Sequence, residues 1–228
     1  VIFMLLVIVL GHEFAHFAVA RLQGIRLKKL YLGIPLEEII FGRKISTVIF
    51  KTNFRGVEYG VSWLLLGGFI DFHDFEGASF RTRVTTYLAG PLYNLVVGLI
   101  PMIFFFGFGT SFWILGLTSQ ATLEALGQLA TGAMPLSSLM GPVGAINFLA
   151  KISQEYNLGY LLVWVVLNLS IMTYNFIPIP ALDGGQILMA VVLKLFGEKA
   201  RKPVQFLERI SFYFILVIIL FTMTKDLW

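Results

Sequence analysis

No cysteine occurs anywhere in this 228-residue chain. Disulfides are excluded, and any metal ion has to be held by His, Asp or Glu. Charge is scarce as well. Asp, Glu, Lys and Arg make up 13% of the residues, where a soluble domain carries about 25%. Hydrophobic residues supply 57% and the mean hydropathy is +0.84. That balance excludes an ordinary soluble domain and implies a multi-pass membrane protein. No Gly-rich phosphate loop, nucleophile elbow or nucleic-acid surface is evident, so nucleic acid is not an expected partner. The net charge of +4 is read instead as orientation in a bilayer.

What is present in abundance is long apolar segments. Four candidates are long enough to span: about 1–21, 84–108, 159–177 and 210–224, the last extended by a snorkelling Arg209. Lys and Arg distribute unevenly between them. Residues 21–83 hold ten of the seventeen, residues 109–158 only Lys151, and residues 178–209 hold Lys194, Lys199, Arg201, Lys202 and Arg209. By the positive-inside rule both basic segments are cytoplasmic, which places both termini outside. The first residue is Val, not Met, so a fragment or a processed form is expected.

Within the first apolar segment stands His12-Glu13-Phe14-Ala15-His16. Helical positions four apart share a face, so His12 and His16 can ligate one metal ion. Glu13 is rotated by roughly 100° from His12 and can sit beside the metal as a general base without ligating it. Ten apolar residues, Val1 to Leu10, precede the motif, so this metal chemistry is expected inside a membrane.

A second constellation closes the third span: Asn175-Phe-Ile-Pro-Ile-Pro-Ala-Leu-Asp183-Gly184-Gly185. Pro178 and Pro180 break the helix, and Gly184 and Gly185 permit a tight turn. Asp183 is thereby an acid at the membrane boundary, either the cap of the next helix or a functional group. With the two histidines it gives a catalytic zinc three protein ligands and an open position for water.

The first basic segment reads as a hairpin. Lys44–Thr52 and Val57–Leu66 are rich in β-branched and aromatic residues, with a turn over Asn53–Gly56. The second arm runs into Leu64-Leu65-Leu66-Gly67-Gly68-Phe69, too apolar for an exposed loop. The expectation is a re-entrant sheet covered by helices; the alternative is a cytoplasmic hairpin touching the membrane surface. Residues 109–140 read as an external connection with a weak helical pattern at 119–130, and 140–152 as a partly embedded helix. His73, in Asp71-Phe-His-Asp74, has no partner spacing and reads as a loop residue. Trp113, Trp164 and Trp228 are expected near the interfaces.

Taken in order, HEFAHFAVAR, Gly67-Gly68-Phe69, Ala89-Gly-Pro-Leu-Tyr-Asn94, Gly141-Pro-Val-Gly144 and the Asn175–Gly185 motif resemble the site-2 proteases, intramembrane zinc metalloproteases. The likeness is greatest to the bacterial branch that cleaves membrane-anchored anti-sigma factors. It implies one Zn2+ held by His12, His16 and Asp183, Glu13 as the base, and Asn175 and Pro178 positioning a single-pass transmembrane substrate in the bacterial cytoplasmic membrane. Asn94 either contributes polar contacts near the site or makes an interhelical hydrogen bond. Many relatives insert PDZ domains between the second and third core helices, and residues 109–140 are too few for one. The expected fold is an all-α membrane protein with a small re-entrant β element. Substrate capture by strand addition is expected at an edge within Val57–Leu66, around Tyr59 and Ser62. The rival is a non-hydrolytic metal-binding membrane protein or transporter, for which Glu13 has no use.

Overall fold

The structure is a computed structural model that describes residues 1–40, 43–64, 67–135, 138–139, 142–155 and 159–226. Leu65 and Leu66 of the expected hairpin arm, Gly141 of the GPVG run and Trp228 lie outside these. The chain divides into two compact units, Leu6–Gly90 and Val1–Leu5 with Pro91–Trp228. Among the described residues, four helical stretches are long and apolar enough to cross a membrane: Ile2–Leu22, Phe80–Ala130, Gly159–Phe176 and Asp183–Thr222.

The first unit combines helix and sheet. Helix α1 (Ile2–Leu22) has apolar residues on every side, as a lipid-embedded helix does. Its buried residues are Ile8, His12, His16 and Ala20. Their four-residue spacing draws a single stripe along the helix, and the two histidines are its middle members. Leu10 and Phe14 on other faces are exposed.

After α1 come six strands: β1 (Leu27–Leu32), β2 (Glu37–Ile40), β3 (Arg43–Ser46), β4 (Val48–Phe54), β5 (Val57–Ser62) and β6 (Gly68–Phe72). The hairpin exists, as β4 and β5. Arg55 and Gly56 turn it, both with positive φ, 53° and 79°, the backbone a two-residue hairpin of right-handed twist requires. The expected first arm is not one strand. Thr47 interrupts it: its amide donates to the Leu36 carbonyl at 2.9 Å and its hydroxyl donates to that of Ile34 at 2.7 Å. β3 therefore leaves to pair with β2 in a separate two-stranded sheet.

The larger sheet runs β4-β5-β1-β6, with β1 parallel to β5 and antiparallel to β6. This corrects the expected edge. β5 is an interior strand: Tyr59 is paired with Thr52 on one side and Leu30 on the other. Ser62 is wholly buried, its hydroxyl donating to the Ile34 carbonyl at 2.8 Å. The outer strands are β4 and β6. Where Tyr31 of β1 faces Gly60 of β5, a side chain at Gly60 would overlap the Tyr31 ring. The Tyr31 hydroxyl donates to Glu58 at 2.7 Å, and Lys29 reaches the same carboxylate at 3.3 Å. The Tyr31 hydrogen bond first, then Lys29, hold the Glu58 carboxyl below its usual range. On the other flank Lys28 pairs with Asp71 of β6 at 2.9 Å, which raises the Lys28 ammonium above its ordinary value.

The second unit is helical: most of α2 (Phe80–Ala130), α3 (Pro142–Glu155), α4 (Gly159–Phe176), α5 (Asp183–Phe196) and α6 (Arg201–Asp226). The 51 residues of α2 would extend about 76 Å if straight. Its backbone breaks once, at Gly107, with φ 76° and ψ 169°. The expected second span ends at this break, yet residues beyond it are helix up to Ala130 rather than a connecting loop. Their hydroxyls serve the helix: Ser111, Thr122 and Thr131 each donate to the carbonyl four residues back, at 2.7, 2.8 and 2.9 Å.

Pro101 lies within α2 and offers no N–H to the Val97 carbonyl. The Trp164 indole of α4 supplies the missing donor at 3.1 Å. Around this link Leu99 and Met102 of α2 pack with Val165, Leu169 and Met172 of α4 as the buried core. Trp164 thus serves packing between helices, while Trp113 is exposed.

Candidate metal centre

His12 and His16 are both buried, and their Nε2 atoms lie 3.1 Å apart. The His16 ring is oriented by its other nitrogen, for Nδ1 lies 2.7 Å from the Thr86 carbonyl. A carbonyl only accepts, so Nδ1 carries the proton and Nε2 presents a lone pair. This is the outer hydrogen bond that fixes a metal-ligating imidazole. Thr86 stands one turn before Gly90 and Pro91 in α2.

Gly90 completes the arrangement. A Cβ built on it would fall 2.5 Å from the His12 Nε2 and closer still to that of His16. The helix backbone thus approaches both Nε2 atoms so closely that no side chain fits between. Tetrahedral zinc binds imidazole nitrogen at about 2.0–2.1 Å, which sets two such nitrogens about 3.3 Å apart. The 3.1 Å spacing of the pair fits such an ion.

Glu13 follows His12 on α1 and faces the sheet. A Cβ on Gly68, the first residue of β6, would meet the Glu13 Cγ at 2.5 Å. The glycine of the Gly67-Gly68-Phe69 run is therefore a close approach, admitting the Glu13 side chain against an outer strand. Gly68, Thr86 and Gly90 were all within reach of the sequence motifs. The residue pattern alone assigns them no task, because their task is to leave room or to offer a carbonyl.

Asp183 belongs to the helical unit. It is the first residue of α5, and the cap position is held by Leu182 in extended conformation, so Asp183 is not the capping residue by position. A helix N-terminus favours a carboxylate. Gly184 and Gly185 have a different part from the expected turn. Both lie in the first turn of α5 without positive φ. Their lack of Cβ lets the helix press on backbone: a Cβ at Gly184 would meet the Phe176 carbonyl at 2.5 Å, and one at Gly185 would run into the backbone of Ile179. Gln186 ties the same loop from its side chain to the Pro180 carbonyl at 2.6 Å.

Asn175 is half-buried near the end of α4 and donates to the Ile171 carbonyl at 3.0 Å. Pro178 is exposed just beyond. Asn94 is wholly buried in α2. His73 is exposed, and among the described residues it joins no cluster of metal-ligating side chains.

A family model described as peptidase family M50 matches residues 1–221. The chain belongs to peptidase family M50. Among its curated relatives, the protein named protease RseP of Yersinia pestis is 38% identical over 89 residues, 38% of this chain and 19% of that protein. Zinc metalloprotease RasP of Geobacillus kaustophilus is 30% identical over 111 residues, 48% of this chain and 26% of that protein. The regulator of sigma-W protease RasP of Bacillus subtilis is 30% identical over 112 residues, with shares of 48% and 26%. These matches span about a fifth to a quarter of the relatives' length. The resemblance read from the motifs and this M50 membership agree.

Proposed function

We propose that this M50 member is a zinc-dependent intramembrane endopeptidase. Its substrates are single-pass, membrane-anchored regulators of the anti-sigma-factor kind, cut in or near their transmembrane segments in the bacterial cytoplasmic membrane. The observation that carries the reading is the pair of Nε2 atoms converging over Gly90, with Glu13 on the same helix. In this reading His12, His16 and Asp183 hold the ion, two nitrogens and one oxygen that leave a fourth position open. Bound zinc supplies Lewis acidity for amide hydrolysis near neutral pH. Glu13 takes the proton of the attacking water and returns it to the leaving amine. The Thr86 carbonyl keeps the proton of His16 on Nδ1, away from the metal side.

A transmembrane helix hides its amide bonds, so the substrate has to unwind and be held extended. Strand addition remains the means, with the edge reassigned. β5 is paired on both sides, while β6 is an outer strand whose first residue touches Glu13. Tyr59 and Ser62 then support the sheet from within rather than bind substrate, and Asn175 and Pro178 position the peptide. The names of the RasP and RseP relatives, which include zinc metalloprotease and regulator of sigma-W protease, accord with this substrate class.

The test is Glu13→Gln in purified full chain. Zinc content should match wild type while cleavage of a transmembrane substrate falls by about 10²–10⁴, the usual worth of a general base. Wild-type cleavage by that variant would remove Glu13 from the mechanism.

A further inference from the structure

We infer that a cavity beside the Asn175–Pro178 turn is a subsite for one apolar side chain of the peptide substrate, and that Leu123 sets its depth. The inference rests on the peptidase reading above and gives it a specificity-determining residue.

The cavity lies wholly within the helical unit and has a volume of about 390 Å³, within the range of about 300–1,000 Å³ common for small-ligand sites. Ser119 and Leu123 of α2 form one wall, Met172 and Thr173 of α4 the floor, and Phe176 and Pro178 the far side. The floor hydroxyls are already engaged. Thr173 donates to the Leu169 carbonyl at 2.8 Å, so its 3.1 Å contact with Ser119 is one in which Ser119 donates. The remaining surface is apolar, and burying a charged or amide group against it would be costly.

The far wall decides between a peptide and a lipid chain. Beyond Phe176 the backbone is no longer helical, and neither Pro178 nor Pro180 has an N–H. In an apolar medium, irregular backbone has to be covered by groups that can hydrogen-bond. An acyl chain brings none, whereas an extended peptide brings an N–H with each residue. The same wall leads to the proposed metal ligand, since the first turn of α5, bearing Asp183, rests on the Phe176 and Ile177 carbonyls through Gly184. A peptide with one side chain in the cavity therefore lays its neighbouring amide bonds along the segment that ends at Asp183. Leu123 and Phe176 are 54% and 42% exposed at the mouth. Leu123 can change the depth without disturbing α4 or the loop.

The experiment uses purified full chain with zinc in phosphatidylcholine vesicles prepared at several acyl lengths, and a transmembrane peptide whose residues flanking the cleaved bond are varied in turn among Ala, Leu and Phe. Wild type should prefer Leu or Phe to Ala at one position by about tenfold in kcat/KM, the worth of a few methylenes in an apolar pocket. Leu123→Trp narrows the cavity and should abolish that preference for the larger residues. Leu123→Ala should move the preference toward Phe. The milder Leu123→Phe serves if the Trp variant loses its zinc content or thermal stability. A uniform fall across all peptides, or no change in preference, overturns the subsite. So does a rate that follows the acyl length of the vesicle lipid instead of the peptide residue, the mark of a lipid-filled cavity. Equal cleavage of all peptides by wild type sinks the subsite alone, whereas no cleavage of any peptide by zinc-loaded wild type sinks the peptidase reading beneath it.

Discussion

Two glycines, one in each unit, are places where a single added carbon cannot fit, and they differ in what fills the space. At Gly185 the missing Cβ is replaced by the Ile179 backbone, so α5 and the loop before it are packed in contact. At Gly90 the nearest atoms are the Nε2 nitrogens of His12 and His16. There the helix backbone lies against polar ring nitrogens instead of against another stretch of backbone. One glycine therefore lets a helix close on backbone, and the other lets α2 close on the two histidines proposed to hold the metal. The hydrogen bond of His16 to Thr86 bears on the same point, for it fixes the proton on Nδ1 and leaves Nε2 to the site.

The sharpest way to break this comparison is to add the carbon at both places. Gly90→Ala should fold, retain its helical circular dichroism and lose both zinc and cleavage, to background. Gly185→Ala should instead lower thermal stability and yield of folded protein, with zinc loss only in proportion to unfolding. Metal analysis and a thermal melt of the two variants decide it, and equal zinc content in both would end the distinction. Next in size is the carboxylate. Asp183→Ala should cut zinc occupancy by about tenfold or more, as loss of a ligand does, whereas Asp71→Ala, His73→Ala and Asp74→Ala should leave it at the wild-type level. Full occupancy without Asp183 would move the third ligand elsewhere.

A smaller effect is expected within the helical unit. Trp164→Phe removes the donor that replaces the N–H absent at Pro101, and should cost about 1 kcal/mol, seen as a fall of about 2–4 °C in Tm. In a Pro101→Ala background the same change should cost less, because Val97 regains an intrahelical donor. Smallest is the pH term in the sheet. The folded Glu58 carboxyl lies below its unfolded value of 4.5. Its contribution is therefore present above that value and lost as pH falls through the folded one. Tyr31→Phe should lower stability slightly above about pH 4.5 and so flatten the acid limb below it, leaving the acid end unchanged. An unaltered acid limb would show that the hydrogen bond does not hold the carboxyl down.

The parts legible in the sequence were those with local spacing. His12 and His16 could be paired because a helix brings residues four apart together whatever surrounds it, and the Arg55-Gly56 turn carries its own backbone chemistry. The sheet order was not legible. β1 inserts between β5 and β6, pairing in parallel with a strand whose register starts at Glu58, and nothing in Leu27–Leu32 announces a partner so distant. That one insertion turned the expected edge of Tyr59 and Ser62 into an interior. Residues 109–140 read as a connection with only a weak helical pattern at 119–130, because Gly, Ser and Thr disfavour helix in water, while here the hydroxyls bond back along the helix. Gly90 and Gly68 went unassigned for a related reason, since an absent side chain has no pattern to find.

The Trp164 to Val97 hydrogen bond has a consequence for descent. Pro101 and Trp164 are separated by 63 positions, yet the defect made by one is repaired by the other. Selection therefore acts on the two together. A lineage that exchanges the proline for a residue with an N–H releases the tryptophan to drift, while a lineage that loses the tryptophan first carries an unfilled carbonyl until the proline follows. Members of the family should accordingly carry both or neither more often than either alone, and the order of loss along a branch should run from proline to tryptophan.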